Sequence, residues 1–141
     1  MSLLEVERLT VSFPGSGGPV RPVDGISFSL DRGETLALVG ESGCGKSLTA
    51  LALLRLLPSN GTLVDGSVIR FDGVSIPALD SESLRRLRGR RIAVVFQDPM
   101  TSLNPVFTAG DQIAEGIQAH FDIPRAEAWR RAVALLAEVG I

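Results

Sequence analysis

Hydrophobic and polar residues alternate along three segments of the chain, which is the pattern of strands with one buried face. The segments cover residues 3–13, 25–30 and 68–73, and a loop rich in glycine and proline follows the first of them. Strands of this kind usually pair antiparallel, with one face on a core and the other in solvent. The pattern therefore predicts antiparallel β elements over residues of about 1–33 and 61–79.

Two other segments, residues 35–39 and 92–96, are apolar at almost every position. Such runs are typical of strands that are covered on both faces in a parallel sheet. Strong helix formers fill residues 47–57, between the two runs. This order predicts a strand–helix–strand arrangement around one parallel sheet, with core elements at residues 34–60 and 80–99.

Three more segments carry the composition and end signals of helices. Asp80 is a suitable N-cap for a helix that continues to about Arg88. Helical patterns also cover residues 111–121 and 124–139. The last helix is apolar at Trp129, Ala132, Val133, Leu136 and Val139.

Composition and charge exclude several classes of protein. The 141 residues hold 14 Lys and Arg against 16 Asp and Glu, a net charge of -2, so no general basic field favours nucleic acid. No run approaches the roughly 18 apolar residues of a membrane-spanning helix, and the start of the chain does not have the pattern of a signal peptide. The arginine cluster is interpreted as a solvated helix end rather than a phosphate site; its members are Arg85, Arg86, Arg88, Arg90 and Arg91.

Residues 40–47 match the pattern G-x-x-x-x-G-K-S in full, between a predicted buried strand and a predicted helix. In such a loop the backbone N–H groups surround phosphates, Lys46 brings a charge to the β- and γ-phosphates, and the Ser47 hydroxyl contacts Mg²⁺. The sequence therefore predicts a site for a nucleoside triphosphate with Mg²⁺. Its predicted nucleotide-binding residues are Gly40, Glu41, Ser42, Gly43, Cys44, Gly45, Lys46 and Ser47.

Kinases, GTPases and transport ATPases all contain a phosphate loop, so the sequence around the loop must distinguish between these classes of protein. A long strand-patterned segment precedes Gly40, whereas a small nucleoside kinase would normally open on its phosphate-loop strand. The guanine-reading pattern Asn-Lys-x-Asp is absent from the sequence. Asp98 is a poor Mg²⁺-organising carboxylate, because Gln97 separates it from the apolar strand and Pro99 follows it.

The phosphate loop and the strand that ends at Gln97 resemble the ATP-binding cassette subunits of bacterial peptide importers, in the dipeptide, oligopeptide and nickel branch. The most specific match is Phe96-Gln97-Asp98-Pro99-Met100-Thr101-Ser102-Leu103-Asn104-Pro105. The resemblance covers essentially the whole chain. It implies an α/β fold: the P-loop NTPase core of an ABC ATPase, with an N-terminal antiparallel β-subdomain and the start of a helical subdomain at residues 100–141.

The resemblance also implies roles and partners. Phe13 falls where the family stacks an aromatic ring on adenine, although a core phenylalanine at a strand end is the alternative. Gln97 matches the glutamine that contacts Mg²⁺ or the attacking water, the alternative being a polar strand end. The implied cofactors are ATP and Mg²⁺. The implied partners are transmembrane permease subunits, a second ATP-binding subunit and, indirectly, a substrate-binding protein, at the cytoplasmic face of the cell membrane.

Four motifs of the family do not occur in the sequence: the signature, the Walker B aspartate, the catalytic glutamate and the switch histidine. His120 is no substitute, because it lies in a helical segment before the expected signature region. We therefore expect a truncated, N-terminal part of an ATPase that couples ATP hydrolysis to peptide or nickel import, with no activity on its own. The alternatives are a non-catalytic fragment that binds nucleotide without hydrolysis, and a soluble P-loop ATPase or kinase.

Overall fold

The computed structural model of the chain describes residues 2–96 and 102–141. These residues form two compact units, Met1–Arg85 and Arg86–Ile141. In chain order the elements are β1 (Leu4–Phe13), β2 (Val20–Leu30), α1 (Lys46–Leu53), β3 (Thr62–Leu63), β4 (Val68–Phe71), β5 (Val74–Ser75), α2 (Ser81–Leu87), α3 (Ala109–Gln118) and α4 (Arg125–Glu138). Within the described residues, no helix is both long enough and apolar enough to span a membrane.

The first unit is built on an antiparallel sheet in the strand order β2-β1-β4-β5, with β3 pairing the end of β1. The predicted antiparallel β elements are thus confirmed. The inward face of the sheet forms the core of the unit, with Val6, Leu9, Val11, Val23, Ile69 and Phe71 buried. The strand β2 begins at Val20, five residues earlier than predicted. It includes Pro22 because an edge strand can accept a residue that has no N–H group.

The prediction of a buried strand at residues 35–39 is wrong in this structure. These residues are not part of any strand of the described chain, and Val39 is 89% exposed. Residues 92–96 likewise contain no strand: Ile92 makes an isolated parallel bridge to Arg88, and Val95 is 98% exposed. An apolar run becomes a parallel strand only when neighbouring strands take up its backbone N–H and C=O groups. Among the described residues, the strands pair antiparallel, and neither run has a parallel strand beside it.

The helices largely follow the sequence pattern. The helix α1 ends at Leu53 rather than near residue 57, because the chain turns at Arg55, whose φ is 52°. Asp80 caps α2, since its Oδ1 accepts a 2.8 Å hydrogen bond from the Ser83 N–H. That bond, followed by one from the Ser83 hydroxyl, lowers the pKa of the Asp80 carboxyl below its usual range.

The second unit contains the helices α3 and α4, which were predicted at residues 111–121 and 124–139. The two helices pack through small buried residues, namely Ala114, Ala128 and Ala132. The Thr108 side chain caps α3 by accepting a hydrogen bond from the Asp111 N–H at 3.1 Å. Of the predicted apolar positions on α4, Ala132 is buried while Val133 and Val139 remain exposed.

Candidate nucleotide-binding site

The loop before α1 is shaped by the glycine that ends it. Gly45 is the N-cap of α1 and has a left-handed φ of 95°, a conformation that other residues adopt only at a cost. A Cβ atom at this position would lie 2.4 Å from the carbonyl oxygen of Pro22 in β2. The loop therefore rests directly on the edge strand of the sheet, and only glycine fits at the contact.

The Lys46 side chain turns back over the loop that precedes it. Its Nζ donates hydrogen bonds of 2.7 Å to the carbonyl oxygens of Gly40 and of Glu41, and it lies 3.5 Å from the Cys44 Sγ. The ammonium group is thereby held against the turn formed by residues 40–45. Lys46 carries the single formal positive charge of the predicted phosphate loop, and an anion bound in the turn would contact this charge.

The beginning of α1 adds a second source of positive potential. No side chain caps this helix, and its first turn contains no acidic residue. The partial positive charge of the helix start and its unpaired N–H groups are therefore left for an anion. Ser47 lies exposed in this first turn, where its hydroxyl is accessible to a ligand. Thr49 supports the turn from below, because its buried hydroxyl donates to the Gly45 carbonyl oxygen at 3.0 Å.

A pocket of about 170 Å³ opens between the loop and the edge strand. Its lining includes Pro22, Val23, Asp24, Cys44, Gly45 and Lys46. Sequence reasoning missed the β2 residues of this lining. They lie before the predicted strand at residues 25–30, and they carry no local signal that this part of β2 meets a loop about 20 residues later in the chain.

Phe13 ends β1 and is half-buried. Its ring packs against Gly61: a Cβ atom on that glycine would lie 2.8 Å from the ring atoms Cε1 and Cζ. Phe13 also lines a second, open pocket of about 560 Å³. The ring is therefore both a packing residue and part of an accessible surface, which leaves its stacking on adenine a prediction.

The remaining predicted site residue, Gln97, lies outside the described residues, as does Asp98. In the part of the chain that the structure describes, no group of three or more His, Cys, Asp or Glu side chains could hold a metal ion. Of the two predicted Mg²⁺ ligands, Ser47 is therefore the one that lies among the described residues. A Mg²⁺ ion bound at Ser47 would need further ligands from the nucleotide phosphates.

The fold resembles those of solved ATP-binding cassettes. One dimeric cassette bound to ADP and Pi, in a post-hydrolysis state, superposes with a TM-score of 0.76 at 18% identity, over 95% of this chain and 56% of that one. A dimeric bacterial ABC transporter cassette gives the same TM-score. The predicted fold, that of an ATP-binding cassette with an N-terminal antiparallel β-subdomain, is therefore confirmed.

Sequence comparison finds relatives that are named as ATP-binding proteins of peptide transport. The chain is 47% identical over 139 residues to a probable peptide ABC transporter ATP-binding protein, y4tR, of Sinorhizobium fredii, covering 99% of this chain and 42% of that protein. It is 45% identical to the oligopeptide transport ATP-binding protein OppD of Bacillus subtilis, of which it covers 39%. The chain thus spans less than half the length of these curated relatives. Residues 23–141 match the model of the ABC transporter family, so the chain belongs to that family.

Proposed function

We propose that this chain binds MgATP at residues 40–47 as the nucleotide-binding part of an ABC importer's ATP-binding subunit. The observation that carries the proposal is the position of Lys46. Its Nζ is fixed by two 2.7 Å hydrogen bonds across the mouth of the loop, at the uncapped start of α1. The charge of Lys46 and the free N–H groups of the helix start thus belong to one loop-to-helix segment, which is the combination of groups that binds a polyphosphate.

Each residue then has a defined task. The N–H groups of the loop and of the first turn of α1 bind phosphate oxygens, and Lys46 neutralises their charge. Ser47 and Gln97 are the proposed Mg²⁺ ligands, Gln97 from its sequence position alone. Phe13 is the proposed platform for adenine. Mg²⁺ held there would offset the negative charge of the phosphates.

In the whole protein we propose that this site drives the import of peptides, as the names of the peptide-transport relatives suggest. Nickel is the alternative cargo, and it rests on the resemblance of the sequence motifs alone. The subunit would lie at the cytoplasmic face of the membrane, on permease subunits and beside a second ATP-binding subunit, with a substrate-binding protein acting indirectly. The 141-residue chain holds the phosphate loop but not the carboxylate that polarises water. We therefore expect it to bind MgATP without turnover.

Calorimetric titration of the chain with MgATP, which measures the Kd, tests the proposal. We expect Lys46→Ala to raise the Kd at least about tenfold, because a charge-assisted contact is lost. Arg21→Ala is the matched control: it removes one exposed positive charge from β2 of the same unit and should leave the Kd unchanged. Absence of binding by the unmodified chain, or equal Kd values for the chain and Lys46→Ala, would contradict the proposal.

A further inference from the structure

The loop between α1 and β3 is held against the predicted adenine platform. Residues 58–61 form a turn closed by a 2.8 Å hydrogen bond from the Gly61 N–H to the Pro58 carbonyl oxygen. The sheet fixes the far end of this turn, because Thr62 pairs with Ser12 in β1 and its hydroxyl donates to the Ser12 carbonyl oxygen at 3.3 Å. The position of the turn relative to the end of β1 is therefore set by strand pairing.

Gly61 brings the turn into direct contact with the Phe13 ring. A Cβ atom on Gly61 would lie only 2.8 Å from the ring atoms Cε1 and Cζ, so a larger residue would move the ring or the turn. Asn60, the preceding residue, consequently lies beside the ring. It is exposed, and it lines the same pocket of about 560 Å³ as Phe13, Pro14 and Pro19.

The lining of this pocket is mostly proline, glycine and the aromatic ring, which offers flat apolar surface for a base. Three polar side chains border it, those of Ser12, Asn60 and Thr62. The Thr62 hydroxyl already donates to the Ser12 carbonyl oxygen. The Asn60 amide makes no hydrogen bond to any described residue, so its donor and its acceptor are both available to a ligand.

We propose that Asn60 determines base specificity, by reading the edge of a purine that stacks on Phe13; this rests on the proposed function. An asparagine amide offers one donor and one acceptor side by side. That pair matches adenine, which presents an acceptor at N7 beside a donor at N6. It does not match guanine, which presents acceptors at both N7 and O6 and is read by Arg or Lys instead. Asn60 therefore favours adenine nucleotides over guanine nucleotides.

The test compares the Kd values for MgATP and MgGTP, each measured by displacement of a fluorescent trinitrophenyl nucleotide from the 141-residue chain. We expect the chain to prefer MgATP by about fivefold, and Asn60→Ala to abolish the preference. Asn60→Arg should reverse it toward MgGTP. Ser59→Ala, in the same turn but outside the lining of the Phe13 pocket, should retain the preference.

The outcomes separate this inference from the function on which it rests. If the chain binds both nucleotides equally, or if Asn60→Ala and Asn60→Arg keep the original preference, the assignment of Asn60 is wrong while nucleotide binding stands. If the chain binds neither nucleotide, the proposed function itself fails. Because Asn60 is exposed in a turn, circular dichroism of each variant should match that of the unmodified chain.

Discussion

Gly110, buried near the start of α3, lies directly beneath the ring of Trp129 in α4. A Cβ atom on the glycine would be 2.8 Å from the Cη2 and 3.0 Å from the Cζ3 of the indole. The two helices approach each other this closely because one of them has no side chain at the crossing point. Trp129 is the single tryptophan of the chain, so its fluorescence reports on this contact.

We expect Gly110→Ala to destabilise the second unit by about 1 to 3 kcal/mol, because the added methyl group forces the indole or the helix to shift. The measurement is denaturant unfolding followed by tryptophan fluorescence. Gly116→Ala is the matched control in the same helix, where no atom lies within 4 Å of the added carbon. It should stabilise the unit by about 0.5 to 1 kcal/mol through helix propensity alone. Equal effects of the two changes would show that the indole contact is loose.

Gly45→Ala should destabilise the first unit by about 2 to 4 kcal/mol and abolish nucleotide binding. The φ of 95° is unfavourable for alanine, and the 2.4 Å approach to the Pro22 carbonyl oxygen involves backbone that cannot move aside. Thermal unfolding and calorimetric titration measure the two effects. Gly17→Ala, in the loop between β1 and β2, meets open space and should be close to neutral. A Gly45→Ala chain of normal stability would contradict the described contact between the loop and β2.

The cap of α2 should make stability depend on acid pH. The pKa of Asp80 in the folded chain lies below its ordinary value of 3.8, chiefly because the Ser83 N–H donates to the carboxylate. The stabilisation is therefore fully present above the unfolded pKa and is lost as the pH falls through the folded pKa.

The measurable quantity is the difference in free energy of unfolding between the unmodified chain and Asp80→Ala. It should be constant near neutral pH and should shrink once the pH falls below about 4. Asp80→Asn keeps an oxygen for the Ser83 N–H but cannot titrate. Its difference from Asp80→Ala should therefore not change over the same range. A difference between the unmodified chain and Asp80→Ala that grows toward acid pH would refute the cap.

Alkylation of Cys44 should be sensitive to nucleotide. The thiol is exposed, it is the single cysteine, and its Sγ lies 3.5 Å from the Lys46 Nζ inside the phosphate loop. We expect a maleimide to label it, to prevent nucleotide binding by filling the loop, and to react several-fold more slowly after MgATP is added. Labelling is followed by mass spectrometry, with Cys44→Ala as the background. An unchanged labelling rate in saturating MgATP would place the phosphates elsewhere.

Patterns that depend on neighbours in the sequence predicted the structure well. Alternation located β1 and β4, because it depends on local geometry. Features that depend on distant parts of the chain were missed. The Pro22 carbonyl that supports Gly45 and the Gly61 contact with Phe13 bring together residues with no local signal of their proximity.

The apolar run at residues 35–39 was misassigned for a related reason. Its pattern describes apolar residues of a strand inside a finished parallel sheet. It could not say which neighbours would cover them. Leu36, Leu38 and Val39 instead remain exposed in the first unit, and the pattern predicted burial without the partners that burial requires.

That exposed run also bears on the solubility of the chain. A short, uncharged, leucine- and valine-rich segment without proline can add to identical segments of other molecules as an intermolecular β-stack. Two carboxylates, Glu34 and Glu41, flank the run closely on either side. In a parallel, in-register stack, these carboxylates would be repeated at the strand spacing and would repel one another. Charge repulsion between copies of Glu34 and Glu41 would therefore oppose such a stack of the segment that leads into the phosphate loop.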